Sequence, residues 1–418
     1  MNMMLEQKAI FRKTRSIFIL SRLFNTPFWT IYNMLFIILY KELHATPFQI
    51  TSIIVLKPMT SLISPYWSSW IEKRQDRLVS NIVWANILKY IPFLFFPWFQ
   101  NVWWCIFSFG FYMFLLRGAN PAWMEIIKLN IQGKSRERVF AIGSTIDYLG
   151  SAVLPIAFAW VLDDHSGSWT WVFFFAACIG ILSTLPLIYI PLNAEATSDN
   201  KPLFGVKNTI IRPWKSSWTL IKERPDFRRF QVGFMLGGAA LMMMHTILPV
   251  YFVDVLELTY KEIMFAIALC KGIGFALSSP FWVNLFHKIN IFLFCSIVTV
   301  FAGLFPVFLF CGYFHISAPY IAYIIYGIMQ AGSELSWNMS GPYFAKDLDS
   351  STYSSLNVLT VGLRGCVAPV AATLIGSLTN ATTVMVIAFI LCAIATERMR
   401  SYGQKYSRGL AQQNLSRS

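Results

Sequence analysis

Apolar runs recur along the chain from Ile17 to Thr396, separated by short polar stretches. Each run has about 20 residues, enough to cross roughly 30 Å of hydrocarbon as a helix. The runs show neither strand alternation nor barrel-like spacing, so the pattern predicts a helical bundle. About twelve spans result, six in each half. Their approximate bounds are 17–40, 48–71, 82–99, 102–124, 138–162, 169–191, 228–253, 260–284, 289–314, 318–341, 354–378 and 380–396.

A short sequence signature occurs twice, as Pro65-Tyr66-Trp67 and as Pro280-Phe281-Trp282. Each copy lies near the end of an apolar run and is followed by a lysine, Lys73 in the first and Lys288 in the second. The copies are separated by about half of the chain. An internal repeat of this length indicates two related halves.

Composition places the chain in a membrane, since 56% of its residues are hydrophobic, 13% are charged and the mean hydropathy is +0.55. The net charge of +14 then orients it. With the amino terminus in the cytoplasm, about 26 of the 34 Lys and Arg residues fall on that side. We therefore predict that both termini are cytoplasmic, in a bacterial inner membrane, and that the basic charge is a topology signal unrelated to nucleic acid.

Polar stretches divide the chain into four predicted segments. Residues 1–191 form the amino-terminal six-helix half, and residues 192–227 form a cytoplasmic linker. Residues 228–396 form the carboxyl-terminal six-helix half, and residues 397–418 form a basic cytoplasmic tail. The tail has few large apolar residues, so we expect it to be disordered near the lipid surface.

The loop after the second span, Ser68 to Arg77, resembles the Gly-x-x-x-Asp-Arg-x-Gly-Arg-Lys signature of the major facilitator superfamily. Two further stretches resemble its motifs, Arg117 to Trp123 at the fourth span and Arg136 to Pro155 through the fifth. The resemblance implies an all-α membrane protein with twelve transmembrane helices in two pseudo-symmetric halves. It also implies a gating loop at Glu72, Lys73 and Arg77.

Charged groups inside a bilayer each cost about 2.5 to 3.5 kcal/mol or more, so those within the spans need a reason. Cations outnumber acids there, which favours an anionic ligand. In the first and tenth spans, polar residues recur at helical spacing, so each of these helices has a polar face. The candidate substrate-binding residues are Arg22, Trp29, Asn33, Lys57, Gln330, Trp337, Asn338 and Arg364.

A second set of residues is expected to form ion pairs or to carry protons. These are Arg117, Asp147, His245, Lys271 and Glu334. The resemblance implies that Arg117 faces Glu334 and that Asp147 reaches Lys271, which leaves Lys57 and Arg364 for an anionic substrate group. Lys89, in the third span, is expected to snorkel to the interface.

These patterns predict a secondary active transporter that moves a small organic solute, most favourably an anion, by alternating access. Proton coupling stays open. The expected partners are the solute and the lipid bilayer, and the expected state is a monomer without catalytic residues, metal or cofactor. The alternatives are a membrane-embedded lipid-modifying enzyme and a non-transporting sensor. The five histidines are scattered and no Walker-type loop occurs, which disfavours the enzyme and ATP-driven transport.

Overall fold

Apolar segments become α-helices in the computed structural model, which describes residues 2–73, 77–131, 134–165, 167–191, 206–345 and 351–415. Within these ranges the regular elements are helices and helical turns, without strands. Nine of the helices there are long and apolar enough to cross a membrane, and the expected count of about twelve stays a prediction. The chain forms two units, Met1–Phe204 and Gly205–Ser418, whose boundary falls inside the predicted linker.

The first unit consists of helices that follow one another through short connections. They are α1 (Asn2–Leu43), α2 (Pro47–Lys73), α3 (Leu78–Leu88), α4 (Val102–Asn130), α5 (Lys134–Asp164) and α6 (Ser168–Leu182). Helix α1 packs against α5 and α6, while α4 packs against α2 and α3. Helices α3 and α6 are each followed by a 3-10 turn that has a proline near its start, Pro92 and Pro186. Proline lacks the backbone N–H that would continue the helix, so α3 and α6 end there.

Aromatic rings form the centre of the first unit. The Phe28 ring of α1 contacts Tyr90, Phe93 and Tyr112, with centroids 4.8, 4.8 and 4.9 Å away. Phe173 of α6 stacks on Phe93 at 5.7 Å. Each such pair contributes about 0.5 to 1.5 kcal/mol beyond the burial of its area. The cluster therefore fixes how α1, α4 and α6 lie around the turn after α3.

The second unit begins with a helix from the predicted linker and continues with longer helices. They are α7 (Val206–Glu223), α8 (Pro225–Val250), α9 (Tyr260–Met264), α10 (Lys271–Phe286), α11 (Ile291–Phe310), α12 (Ala318–Ala345), α13 (Ser351–Leu378) and α14 (Ala381–Leu415). A π-helical turn joins α9 to α10. Helix α8 packs against α13 and α14, α11 against α12 and α14, and α10 against α12.

Helices α10 and α12 approach each other at two glycines. A Cβ atom added to Gly274 would lie 2.1 Å from the backbone oxygen of Ile324, and one added to Gly327 would lie 2.1 Å from that of Lys271. No side chain fits at either position, because the neighbouring atoms belong to rigid backbone. This close crossing therefore fixes the distance between the polar residues of α10 and those of α12.

The prediction of a disordered tail is wrong, because α14 continues as a helix to Leu415. Asn290 explains part of this order, since its side-chain amide donates to the backbone oxygen of Gly403 at 3.0 Å and to Ser407 Oγ at 2.8 Å. The Tyr406 ring also packs against Phe292 with centroids 5.7 Å apart. Contacts with the start of α11 thus hold the polar part of α14.

Candidate functional site

Helices α1 and α5 hold a salt bridge in the first unit. Arg22 Nη1 donates to Asp147 Oδ2 at 3.0 Å, and Thr26 Oγ1 lies 3.4 Å from Asp147 Oδ1. The helices can approach there because Gly150 faces Thr26, whose methyl group lies 2.0 Å from the position of an added Cβ. Sequence reasoning named both charged residues but assigned Asp147 to Lys271. The charge of Asp147 is matched inside its own unit.

Lys89 lies beside this pair and is buried, with 2% of its surface exposed. Its ammonium nitrogen lies 4.7 Å from the Tyr90 ring centroid and 5.1 Å from that of Tyr112. Both phenol groups donate to Asn25 Oδ1, the Tyr112 bond being 3.4 Å long. The expectation that Lys89 snorkels is wrong, because aromatic faces surround its charge inside the helices. The sequence signal that could have indicated a buried lysine was the position of Lys89 within an apolar run.

A second polar group joins α1 to α2. Lys57 Nζ donates to Asn33 Oδ1 at 3.5 Å and lies 5.2 Å from the ring centroid of Trp29. Asn33 also donates to the backbone oxygen of Trp29 at 2.7 Å, which orients its amide oxygen. The structure thus brings together three residues that the sequence nominated for substrate binding. A cation beside an indole and an amide can bind the carboxylate of a ligand.

Arg364 is a buried cation of the second unit, with 8% of its surface exposed. Its Nη1 atom donates to the backbone oxygen of Phe234 at 2.9 Å, and the guanidinium lies 5.3 Å from the Phe234 ring centroid. Its Nε atom has no hydrogen-bond partner. No carboxylate in the described ranges forms a salt bridge with it. Arg364 therefore retains donors for a further acceptor.

A cavity of about 190 Å³ lies inside the second unit beside Arg364. It is bounded by α8, α11, α12, α13 and α14, and its polar lining includes His245, Thr299, Tyr326, Ser333, Ser336 and Arg364. Glycines 237 and 238 on α8 leave room on one side, where a Cβ on Gly238 would lie 1.9 Å from Arg364 Nη1. A small cavity with one guanidinium and several hydroxyl groups suits a small anion that also accepts hydrogen bonds.

Two other predicted residues lie close to this cavity. The His245 ring is 6.4 Å from the Tyr326 ring. Trp337 stacks on Phe234 with centroids 5.9 Å apart. Phe234 is also the residue that accepts the Arg364 hydrogen bond, so Trp337 and Arg364 share a neighbour. The role of Trp337 as a stacking surface for the solute stays a prediction.

The α10–α12 crossing places Lys271 within electrostatic reach of Glu334. Gln330 donates to Glu334 Oε1 at 3.2 Å from the preceding turn of α12. Ser333, which precedes Glu334, lines the cavity. Each of the two carboxyl groups named from the sequence therefore has a cation in its own unit. The predicted pairs Arg117–Glu334 and Asp147–Lys271 stay predictions.

The remaining predicted residues are dispersed. Arg117 of α4 lies near Tyr32 of α1 and belongs to the first unit. Asn338 is exposed, one turn beyond Glu334, and Arg77 is exposed before α3. Glu72 and Lys73 are at the end of α2, where the side chains lie outside the described residues.

A hydrogen-bonded network on α8, α12 and α13 was not anticipated. Gln231 donates to Asn357, which donates to Ser340 Oγ at 2.7 Å, while Thr360 donates to Gln231 Oε1 at 3.1 Å. Thr360 lies one turn before Arg364, so the network fixes the rotation of α13. In the sequence these four residues are separate uncharged polar positions within apolar helices, a pattern that also fits ordinary helix contacts.

Long apolar helices with buried charges define a polytopic membrane protein. The sequence pattern of the Major Facilitator Superfamily matches residues 18–369. The chain therefore belongs to this superfamily of membrane transporters, as the sequence motifs predicted. Among curated proteins no sequence match was found.

Solved transporter structures share the fold at low sequence identity. A POT family transporter in complex with 5-aminolevulinic acid has a TM-score of 0.74 and 15% identity, covering 94% of this chain and 96% of that one. A mutant of the nucleoside transporter NupG has a TM-score of 0.72 and 12% identity, with 94% and 99% coverage. A bacterial homolog of the human lysosomal transporter Spinster, inward-facing and unoccupied, has a TM-score of 0.64 and 14% identity, covering 94% of this chain and 97% of that one. Identities this low establish the fold and leave the substrate open.

Proposed function

We propose that the chain is a secondary active transporter that carries a small organic anion across a membrane by alternating access. The proposal includes twelve spans, six in each half, and a monomer with both termini in the cytoplasm of a bacterial cell. Membership of the superfamily supports transport, and the placement of Lys and Arg supports the orientation. A structural neighbour was solved in complex with 5-aminolevulinic acid, a small organic molecule with a carboxyl group, which fits this size class.

Arg364 is the observation that carries the anionic assignment. A buried guanidinium costs several kcal/mol unless a negative group compensates its charge. Arg22 has Asp147 for this purpose, whereas Arg364 has a carbonyl, an aromatic face and an adjacent cavity. A carboxylate in the cavity would accept charge-assisted hydrogen bonds from the spare donors of Arg364. His245, Ser333 and Ser336 would then contact the rest of the solute.

The Trp29–Asn33–Lys57 group is a second candidate anion-binding group, within the first unit. Lys57 is less buried than Arg364, and Asn33 and Trp29 already contact its ammonium group. We therefore expect its removal to weaken binding less than removal of Arg364.

A ligand screen tests the anionic assignment. Purified protein in detergent is heated with matched anionic, neutral and cationic solutes, and the unfolding temperature is recorded. Anionic solutes should raise it, because binding to the folded state adds stability. Arg364→Ala should abolish this rise, while Lys57→Ala should reduce it. Stabilisation by cations alone, or anion stabilisation that persists in Arg364→Ala, would contradict the assignment.

We further propose that Glu334 couples the solute to protons. It follows Ser333, which lines the cavity, and it accepts a hydrogen bond from Gln330 at 3.2 Å, so an anion bound in the cavity would change the potential at its carboxyl group. Asp147 belongs to the other unit and is paired with Arg22.

Coupling is tested by solute flux in proteoliposomes with and without a pH gradient. Glu334→Gln should carry the solute at a rate that no longer responds to the gradient, because its amide cannot load a proton. Asp147→Asn is the matched substitution in the first unit and should retain the response. A wild-type response in Glu334→Gln would remove Glu334 from the coupling step.

A further inference from the structure

Helix α7 has an exposed face that contains two tryptophans. Trp214 and Trp218 are 39% and 62% exposed, and their spacing of four residues places them on one side of the helix. Lys215 and Lys222 are also exposed, and Lys222 Nζ lies 5.4 Å from the Trp218 ring centroid. We call this the Trp214–Trp218 face. It combines indole rings with ammonium groups.

Another side of α7 packs against the unit. Ser217 is 8% exposed, and α7 contacts α8 and α13. Arg224, between α7 and α8, donates to the Tyr353 hydroxyl at 2.6 Å and to the backbone oxygen of Phe344 at 3.0 Å. It also forms a salt bridge with Asp226 at 2.9 Å. These contacts hold the junction, so the Trp214–Trp218 face has a defined direction.

The position of α7 along the chain places it at a membrane surface. One residue separates Glu223 from Pro225, where a segment apolar and long enough to cross the bilayer begins and runs to Val255. The start of that segment carries Asp226, Arg228 and Arg229, as expected for the level of the headgroups. Helix α7 therefore lies within a helix length of the point where α8 enters the lipid.

The excess of basic residues on α7 indicates an anionic partner for the Trp214–Trp218 face. The sequence of α7 has four basic residues, Lys207, Arg212, Lys215 and Lys222, and one acidic residue, Glu223. Indole rings prefer the interface between headgroups and acyl chains, and basic residues near a bilayer are attracted by anionic lipids. Helices that carry both features lie in the interface plane.

We propose that the Trp214–Trp218 face binds the membrane surface. The indole rings insert among the headgroups, and Lys215 and Lys222 contact the phosphates of anionic lipids. Helix α7 then anchors the second unit to the bilayer at the start of α8. The partner is a lipid surface and the contact is independent of the transported solute.

Hydrogen–deuterium exchange of the full-length protein tests this proposal. The segment 206–223 is followed in phosphatidylcholine nanodiscs with and without phosphatidylglycerol. Anionic lipid should slow exchange there, and the double variant Lys215→Gln/Lys222→Gln should lose roughly 25-fold of that protection, since each lysine near an anionic surface contributes a factor of about five. Trp214→Ala/Trp218→Ala should lose protection in both lipids.

Matched control variants show whether a change in exchange is specific to the Trp214–Trp218 face or follows from loss of any exposed lysine or tryptophan. Lys288→Gln/Lys405→Gln removes two exposed lysines outside α7, and Trp84→Ala removes an indole that is 60% exposed. Both should leave exchange of segment 206–223 unchanged, and protection of α11 should be the same in every variant. Equal protection with and without phosphatidylglycerol would overturn the proposal. Full protection in detergent without lipid would also overturn it, because protein contacts would then cover the face.

Discussion

At the scale of the residue, Arg22 and Arg364 differ in how their charge is compensated. Arg22 donates to Asp147 at 3.0 Å, whereas Arg364 hydrogen-bonds the carbonyl of Phe234 beside a cavity. The Arg22 and Asp147 side chains are 35% and 28% exposed, and each charge is matched by the other. Arg364 has a neutral hydrogen-bond partner, so its charge is the one that a ligand can neutralise. The two arginines differ because α5 brings Asp147 to Arg22, whereas no carboxylate in the described ranges forms a salt bridge with Arg364.

Gly238→Ala tests Arg364 without removing its charge. The added Cβ would lie 1.9 Å from Nη1 and 2.1 Å from Cζ, so the flexible end of Arg364 must move away from α8. The fold should be retained, because the displaced atoms are the end of a long side chain. Anion affinity should fall by about tenfold or more, as expected when a charge-assisted hydrogen bond is misplaced.

The matched control for this substitution is Gly376→Ala on α13. Its added Cβ would meet Val384 at 3.6 Å, an ordinary contact. Isothermal titration with an anion from the screen should give the wild-type affinity for this control. An unchanged affinity in Gly238→Ala would show that the position of the guanidinium does not determine binding.

At the scale of the element, hydropathy located the apolar helices but not their polar extensions. Composition predicted that α14 would end near residue 396, yet Asn290 and Phe292 hold it as helix beyond Gly403. Those contacts join positions more than one hundred residues apart, and no local pattern encodes them. Helix α7 lies within the segment predicted only as a cytoplasmic linker, and it runs from Val206 to Glu223.

The same limit applies to the candidate site. Periodicity correctly grouped Trp29 with Asn33, because both lie on one helix. It could not show that Asp147 meets Arg22 or that Lys89 lies between Tyr90 and Tyr112, because these contacts depend on the rotation of neighbouring helices. The close approach at Gly150 decides the first of these pairs. Candidate residues were therefore predictable, and most of their partners were not.

At the scale of the whole molecule, each unit contains its own charged system. The first holds Arg22, Asp147 and Lys89, and the second holds Lys271, Glu334 and the cavity at Arg364. Under the proposed function, the second unit carries the principal anion contact, Arg364, and senses the charge of the anion through Glu334. The superfamily fold supplies the two units that alternating access requires.

Uptake of a radiolabelled organic anion into proteoliposomes tests the central claim most directly. Wild-type protein should give saturable uptake that unlabelled anions inhibit and that matched neutral or cationic solutes do not. Arg364→Gln protein, reconstituted to the same level, should take up no more than empty liposomes. Saturable uptake of cations in place of anions, or anion uptake by Arg364→Gln at the wild-type rate, would contradict the account.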